Sequence, residues 1–505
     1  MEGRGSVRTI PQSADDIGLI DLQRHLRDLD LGAKQMKRYA VQSSLSLLAI
    51  AGALVLGSFA NAQNNNQGQN NQGGGGGGVQ AAGVIVSPEG VLRIKMFGDA
   101  SVLVKKWQAD AKARLPGDLA KASPLRKISL NRLEAAVAEK LAAGKPATEE
   151  MNCLAGLTRL QYVFFYPETN DIVIAGPAEA FSWDASGRAL GVDSGRAVLE
   201  LQDLIVALRA YGPGGNATHE IAVSIDPTQE GLRKMQQFLA NIRGNVKPGD
   251  SGMIVDGLKE NLGLQNVTVL GISPETHFAQ VLVEADYRMK LIGIGIEKPP
   301  VKLASYVDKA SAAQVSANAM QRWFFVPNYE CVRVSDDELA MELVGDGVKL
   351  VGENELVNAD GTRANNAKGS KASELFCQGF TEKYPQIASK VAVYAQMRNL
   401  IDLSIAAAYI QQQDMYGKSG WKMEFFGNES ACPVQTCETP KTVETACTAV
   451  WKGSTLMTPV GGGVKIETLK ALEKNALLKD EKGTVQAAHE KVSLKNLAKS
   501  QWWWD

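Results

Sequence analysis

The chain has 505 residues, of which 45% are hydrophobic, 22% charged and 6% aromatic. That balance excludes a wholly disordered, collagen-like or coiled-coil chain and allows roughly two or three domains. With 54 Lys+Arg against 55 Asp+Glu the formal charge is -1, so no global field invites nucleic acid or an anionic membrane surface.

From Met36 the chain runs Met36-Lys37-Arg38-Tyr39, an apolar stretch from Leu45 to Phe59, then Ala60-Asn61-Ala62. A basic start, an apolar run short for a bilayer and small residues at its end predict a secretory signal cleaved after Ala62, with Met36 as the true start. An uncleaved anchor over residues 39–59 is the alternative. Residues 1–62 thus form a leader, and the Asn/Gln/Gly-rich stretch of residues 63–80 a flexible tether that buries no apolar surface. The expectation is an exported protein of the periplasm or cell surface that meets the membrane only through its signal.

Two short strands are predicted between Gly83 and Ile94, joined by a Ser-Pro-Glu-Gly turn. Helical periodicity follows from Ser101 to Lys145, with Ser129 placed to cap its second half. Residues 162–166 and 172–175 form a hairpin around a Pro-Glu-Thr-Asn turn. A helix is expected at Leu199–Leu208, a strand at Ile221–Ile225, and a helix from Asp226-Pro227 to Asn241. Strands are expected at Val267–Gly271 and Phe278–Glu284, then a helix or strand from Tyr287 to Ile296. Lys298-Pro299-Pro300 reads as a boundary or hinge. Beyond it come a strand at Trp323–Pro327, an alternating stretch at Leu339–Val351 that also reads as strand, a long helix at Ala388–Ile410, and a strand at Val464–Ile466. The predicted class is α+β, mixed sheets with packed helices. The chain forms one composite body or two subdomains, with an α+β domain at 81–298, a second α+β region with the long helix at 299–430, and a cysteine-containing extension and tail at 431–505.

The stretches Leu154-Ala155-Gly156-Leu157, Asp171-Ile172-Val173-Ile174-Ala175-Gly176-Pro177-Ala178-Glu179, Val283-Glu284-Ala285-Asp286-Tyr287-Arg288-Met289-Lys290 and Trp323-Phe324-Phe325-Val326-Pro327-Asn328-Tyr329 resemble an uncharacterised family of exported planctomycete proteins, a domain of unknown function. The resemblance covers roughly residues 81–415. It implies export and a single recurring body, and it brings no activity.

A search for chemistry is mostly negative. None of His219, His277 and His489 has a second histidine at helical spacing, and His489-Glu490 meets Ser493 where a metalloprotease helix needs histidine. Gly417-Lys418-Ser419 lacks the first phosphate-loop glycine, position 412 being Gln. Gly293-Ile294-Gly295 lacks the third glycine of a dinucleotide fingerprint, and no nucleophile elbow occurs. No metal site, cofactor or catalytic residue is therefore expected, and the reading leans away from an enzyme. Cys153, Cys331, Cys377, Cys432, Cys437 and Cys447 are disulfide candidates, an even set in an exported chain.

The ligand or partner candidates are few. Asp286, Arg288 and Lys290 would share one face of an extended chain, as an ion-pair network or a ligand site. Glu179 leads to Trp183-Asp184, where carboxylates and aromatic rings suit a sugar groove as well as a packed turn. Convergence of Glu179, Asp184, Glu284 and Asp286 would support carboxylate-dependent hydrolysis. Trp502, Trp503 and Trp504 cannot all face one core from an extended segment, so at least one is expected to be exposed or bound to a partner, unless the tail is disordered. The expected function is a structural or interaction component of the cell envelope, partnered by envelope proteins or its own copies. The alternative is a hydrolase or ligand-binding protein acting on envelope polysaccharide.

Overall fold

The computed structural model describes residues 82–86, 91–96 and 110–505, apart from 111, 185, 216–217, 243–245, 312–318, 366–369, 454, 458–459, 492–493 and 495–496. The leader, the tether and the turn between the first two strands lie outside the described residues. No helix among those described is long and apolar enough to cross a membrane.

The class is α+β, as expected, with two large mixed sheets. The nine-stranded sheet runs in the order Ala82–Val86, Val91–Met96, Thr442–Val443, Gln265–Leu270, Ile221–Asp226, Val460–Ile466, Ala319–Pro327, Val348–Val357 and Arg363–Asn365. The seven-stranded sheet runs Leu478–Lys479, Val332–Val334, Ala340–Leu343, Tyr162–Tyr166, Asp171–Ala178, Ser123–Ser129 and Trp503–Trp504. Each sheet holds strands from both sides of Lys298-Pro299-Pro300, so this step does not separate one sheet from the other.

Side-chain alternation sends neighbouring residues of each strand to different cores. Trp323, Phe325, Val163 and Phe165 enter a main core shared by both sheets, whereas Met320 and Phe164 face outer clusters. The helices Gln229–Ile242 and Ser251–Leu262 cover the outer face of the nine-stranded sheet through Leu232, Met235, Ile254 and Leu258.

The main core is filled by helices Leu201–Ala210, His277–Gly293, Lys371–Ala388 and Ala392–Gln412. Every residue from Val393 to Ile410 is buried, which is why that segment is apolar around nearly its whole circumference. Its helix starts four residues later than Ala388, because Lys371–Ala388 is a separate helix.

Several local expectations hold. Ser129 caps Leu130–Ala142 by accepting from the Arg132 amide, and the Tyr162–Tyr166 strand pairs antiparallel with Asp171–Ala178. Others need correction. Phe278–Glu284 is not a strand but part of the helix His277–Gly293, started by Thr276, whose hydroxyl accepts from the Ala279 amide. The run Val281-Leu282-Val283 looked extended because β-branched residues favour strands, while Thr276 supplies a cap. Leu339–Val351 is two strands in different sheets, Ala340–Leu343 and Val348–Val357, separated at Gly345 and Gly347, both with φ 70. Only glycine adopts that backbone cheaply.

The tryptophan tail is also corrected. It is an ordered edge strand, with Trp503 and Trp504 paired to Ile128 and Lys127. Trp502 joins the main core, Trp504 the outer cluster, and Trp503 is partly buried. The crowding of three adjacent indoles is resolved because Trp503 and Trp504, neighbours in the strand, face opposite sides of the sheet, Trp503 packing against the main core, while Trp502 precedes the strand and enters that core.

Candidate functional site

Three helical segments and two loops surround a cavity of about 620 Å³. The helix starting at His277 contributes His277, Gln280, Val281 and Glu284, positions i, i+3, i+4 and i+7, which form one helical face. Leu201–Ala210 contributes Leu201, Gln202 and Ile205, with Glu200 just before it, and Leu130–Ala142 contributes Val137 and Leu141. The loop at 183–188 closes one side with Trp183 and Arg188, and the loop at 432–437 another with Cys432, Val434 and Cys437. Trp183 and Leu141 belong to the small group of large apolar side chains left exposed, at 40% and 39%.

The cavity floor is charged and buried. Arg188 donates from Nε to Gln396 Oε1 at 2.8 Å, from Nη1 to Ser186 Oγ at 2.9 Å, and from Nη2 to Glu284 Oε2. Glu284 Oε1 lies 3.5 Å from Arg288 Nη1, and Arg288 Nη2 donates to Glu297 Oε1 at 2.7 Å. Burial pushes the Glu284 carboxyl up, against the opposing pull of Arg188 and Arg288.

Beside this chain sits a second cluster. His277 Nδ1 is 3.0 and 3.1 Å from the two carboxylate oxygens of Asp203, and Nε2 is 3.8 Å from Glu200 Oε1. Burial alone would lower the imidazole, but Asp203 and Glu200 outweigh it and raise it to about 9. Burial also raises the Glu200 carboxyl, with His277 opposing. Charged donors and acceptors thus line the cavity together with apolar side chains such as Val137, Leu141, Ile205 and Val281, an arrangement suited to orienting a small polar molecule.

The residues singled out from sequence fall differently. Glu179 lies buried away from the cavity, where it accepts from the Ser194 amide and hydroxyl. Asp184 shapes the loop, accepting from the amides of Ser186 at 2.8 Å and Arg188 at 3.0 Å. Asp286 and Lys290 point to the nine-stranded sheet: Lys290 Nζ donates to Asp286 Oδ2 at 2.7 Å and to the carbonyls of Ile225 and Gly462. Arg288 faces the other way, toward Glu284. In a helix the pairs four apart share a side, so Asp286, Arg288 and Lys290 do not form the common face expected of a strand. Glu179, Asp184, Glu284 and Asp286 do not converge, and only Glu284 reaches the cavity.

The tail indoles engage their own chain. Trp503 Nε1 donates to Glu150, the Arg126 guanidinium lies 4.8 Å over the Trp503 ring, and the Ser129 amide donates to the Trp502 carbonyl at 2.9 Å. All six cysteines are free thiols. Cys153 and Cys447 lie in separate hydrophobic clusters from Cys331, Cys377 and Cys432.

Glu200, Asp203, Arg188 and Gln280 were missed. The period His277, Gln280, Val281, Glu284 was a readable signal once Thr276 is taken as a cap. Asp203 meets His277 across 74 positions, a pairing no local pattern announces.

No curated protein and no solved structure matches the chain. Residues 223–306, which hold the strand Ile221–Asp226 from Val223 onward, the two covering helices and the cavity helix, match the family model described as Protein of unknown function (DUF1598).

Proposed function

We propose that the protein binds a small, hydroxyl-rich ligand of the sugar class in the cavity between Leu201–Ala210 and His277–Gly293. The observation that carries this reading is that a half-exposed indole, Trp183, lines the same cavity as the buried Arg188, Glu284 and Glu200 and the half-buried Gln280. A sugar presents an apolar C–H face that stacks on an indole and a hydroxyl rim that pairs with carboxylates and amides. A cavity of about 620 Å³ falls in the size range of small-molecule sites. Arg188 and Glu284 hold each other in place, so they offer a rigid floor rather than a mobile charge.

Export is part of the proposal, and its support is the pattern from Met36 to Ala62. An interaction component of the envelope has less support, because the tryptophans that argued for it are engaged within the chain. Titration of the full chain by calorimetry with neutral and amino-sugar oligosaccharides tests the reading. Saturable binding that Trp183→Ala weakens by about tenfold or more is expected, a loss of at least ~1.4 kcal/mol. Binding indifferent to Trp183, or none across the panel, contradicts it.

A further inference from the structure

Glu200 Oε1 and His277 Nε2 face each other across 3.8 Å, too wide for a hydrogen bond. The remaining polar atoms of both side chains are occupied: Glu200 Oε2 accepts from Gln202 Nε2 at 2.7 Å, and His277 Nδ1 rests on the Asp203 carboxylate. Glu200 is only 6% exposed, and it and the half-buried His277 both line the cavity, so Oε1 and Nε2 lie side by side there without bonding each other.

The spacing fits a metal ion. Two ligands bound to one zinc-class ion at about 2.0–2.2 Å each stand roughly 3.3–3.9 Å apart at tetrahedral or somewhat wider angles. A metal-binding histidine almost always gives its second ring N–H to a carboxylate, a backbone carbonyl or water, which fixes the ring and raises its basicity. Asp203 occupies that place. Glu200, Asp203 and His277 each offer an atom within 4.8 Å of the others. Glu200 and His277 line the cavity, as does Cys437, on the loop where Thr436 bridges to Thr276.

We propose that Glu200 and His277 bind a divalent transition-metal ion of the zinc class, with Asp203 orienting the imidazole and the remaining coordination positions open to the cavity. Binding releases any proton held on Nε2 to solvent. The inference stands apart from the sugar reading, since the gap exists whatever fills the rest of the cavity.

Zinc titration of the chelator-treated full chain, followed by calorimetry, tests it. One saturable site is expected, lost in Glu200→Gln and in His277→Gln, weakened about 10–100-fold in Asp203→Asn, and retained in Asp360→Asn, a remote exposed change. Circular dichroism confirms that each variant is folded. Should either of the first two fail to fold, hydrogen exchange of the wild type decides: zinc must protect the peptides holding residues 200–203 and 277–280. No saturable site on the folded wild type, affinity unchanged in His277→Gln, or protection confined to other peptides overturns the assignment.

Discussion

Lys290 Nζ lies 2.7 Å from Asp286 Oδ2 inside the His277–Gly293 helix, and both side chains are sealed from solvent, at 1% and 0% exposure. Burial lowers the Lys290 ammonium and raises the Asp286 carboxyl to about 6, each against the pull of its partner. The pair anchors the helix to the nine-stranded sheet, because Lys290 also donates to the carbonyls of Ile225 at 3.0 Å and Gly462 at 3.1 Å. A buried pair of this kind is weak evidence for net stabilisation, yet breaking it leaves one group without compensation.

Asp286→Leu is therefore expected to destabilise the fold by about 3–5 kcal/mol by leaving a buried ammonium unpaired. The double change Asp286→Leu with Lys290→Met is expected to cost much less than the sum of the two single changes. Urea unfolding of the four proteins measures the cycle. Additive losses would show that the pair is not coupled.

Gly462 has φ 123 and sits in the middle of the nine-stranded sheet, where an added Cβ would stand 1.9 Å from the Trp323 carbonyl oxygen. Neither strand can retreat without breaking pairing to its neighbours. Gly462→Ala is expected to lower stability by at least about 3 kcal/mol, among the largest effects of a single methyl. Thermal melting checks this, with Gly249→Ala, which meets nothing within 4 Å, as the control.

Trp504 is 8% exposed and packs with Phe164, Tyr166 and Val173 on the outer face of the seven-stranded sheet. Trp504→Ala is expected to cost about 3 kcal/mol or more through lost burial and the cavity left behind. Chemical denaturation measures it. A loss below about 1 kcal/mol would mean the tail contributes little to the fold.

Asp505 accepts from Arg126 Nε at 2.8 Å and Nη2 at 3.1 Å. Burial would raise the carboxyl, but the bonds from Arg126 outweigh it and hold it below the ordinary 3.8. A carboxyl lowered on folding contributes stability above its unfolded value and loses it as pH falls through the folded value. Tail docking is therefore expected to weaken on acidification below about pH 4 and to hold steady above it. Pepsin cleavage near residues 498–505, followed by mass spectrometry, should accelerate as pH falls. Asp505→Asn should flatten that response.

Much of the fold was legible where local chemistry and tertiary context agree. The hairpin of Tyr162–Tyr166 and Asp171–Ala178 carries alternation on both sides of a turn that closes at Asn170, φ 59. The helix Ala392–Gln412 carries its own apolar period. The cavity helix was misread because Val281 and Val283 have strand propensity while the fold needs them, with Leu282, buried on different sides of a helix. That single error moved Asp286, Arg288 and Lys290 onto one face and hid the face of His277, Gln280 and Glu284. Glu200 and Asp203 were illegible for another reason. Their significance lies in meeting His277 through the packing of two helices distant in sequence, and only tertiary structure brings them together.

The central claim is that a hydroxyl-rich ligand occupies the cavity against Trp183. Hydroxyl-radical footprinting of the full chain, with and without a saturating panel of neutral and amino-sugar oligosaccharides, tests it most directly. Oxidation of Trp183 and Leu141 should fall on addition of the binding sugar, while Leu264 and Leu270, exposed apolar residues that do not line the cavity, stay unchanged. Unaltered oxidation of Trp183 with every sugar, or equal protection of all four residues, would contradict the account.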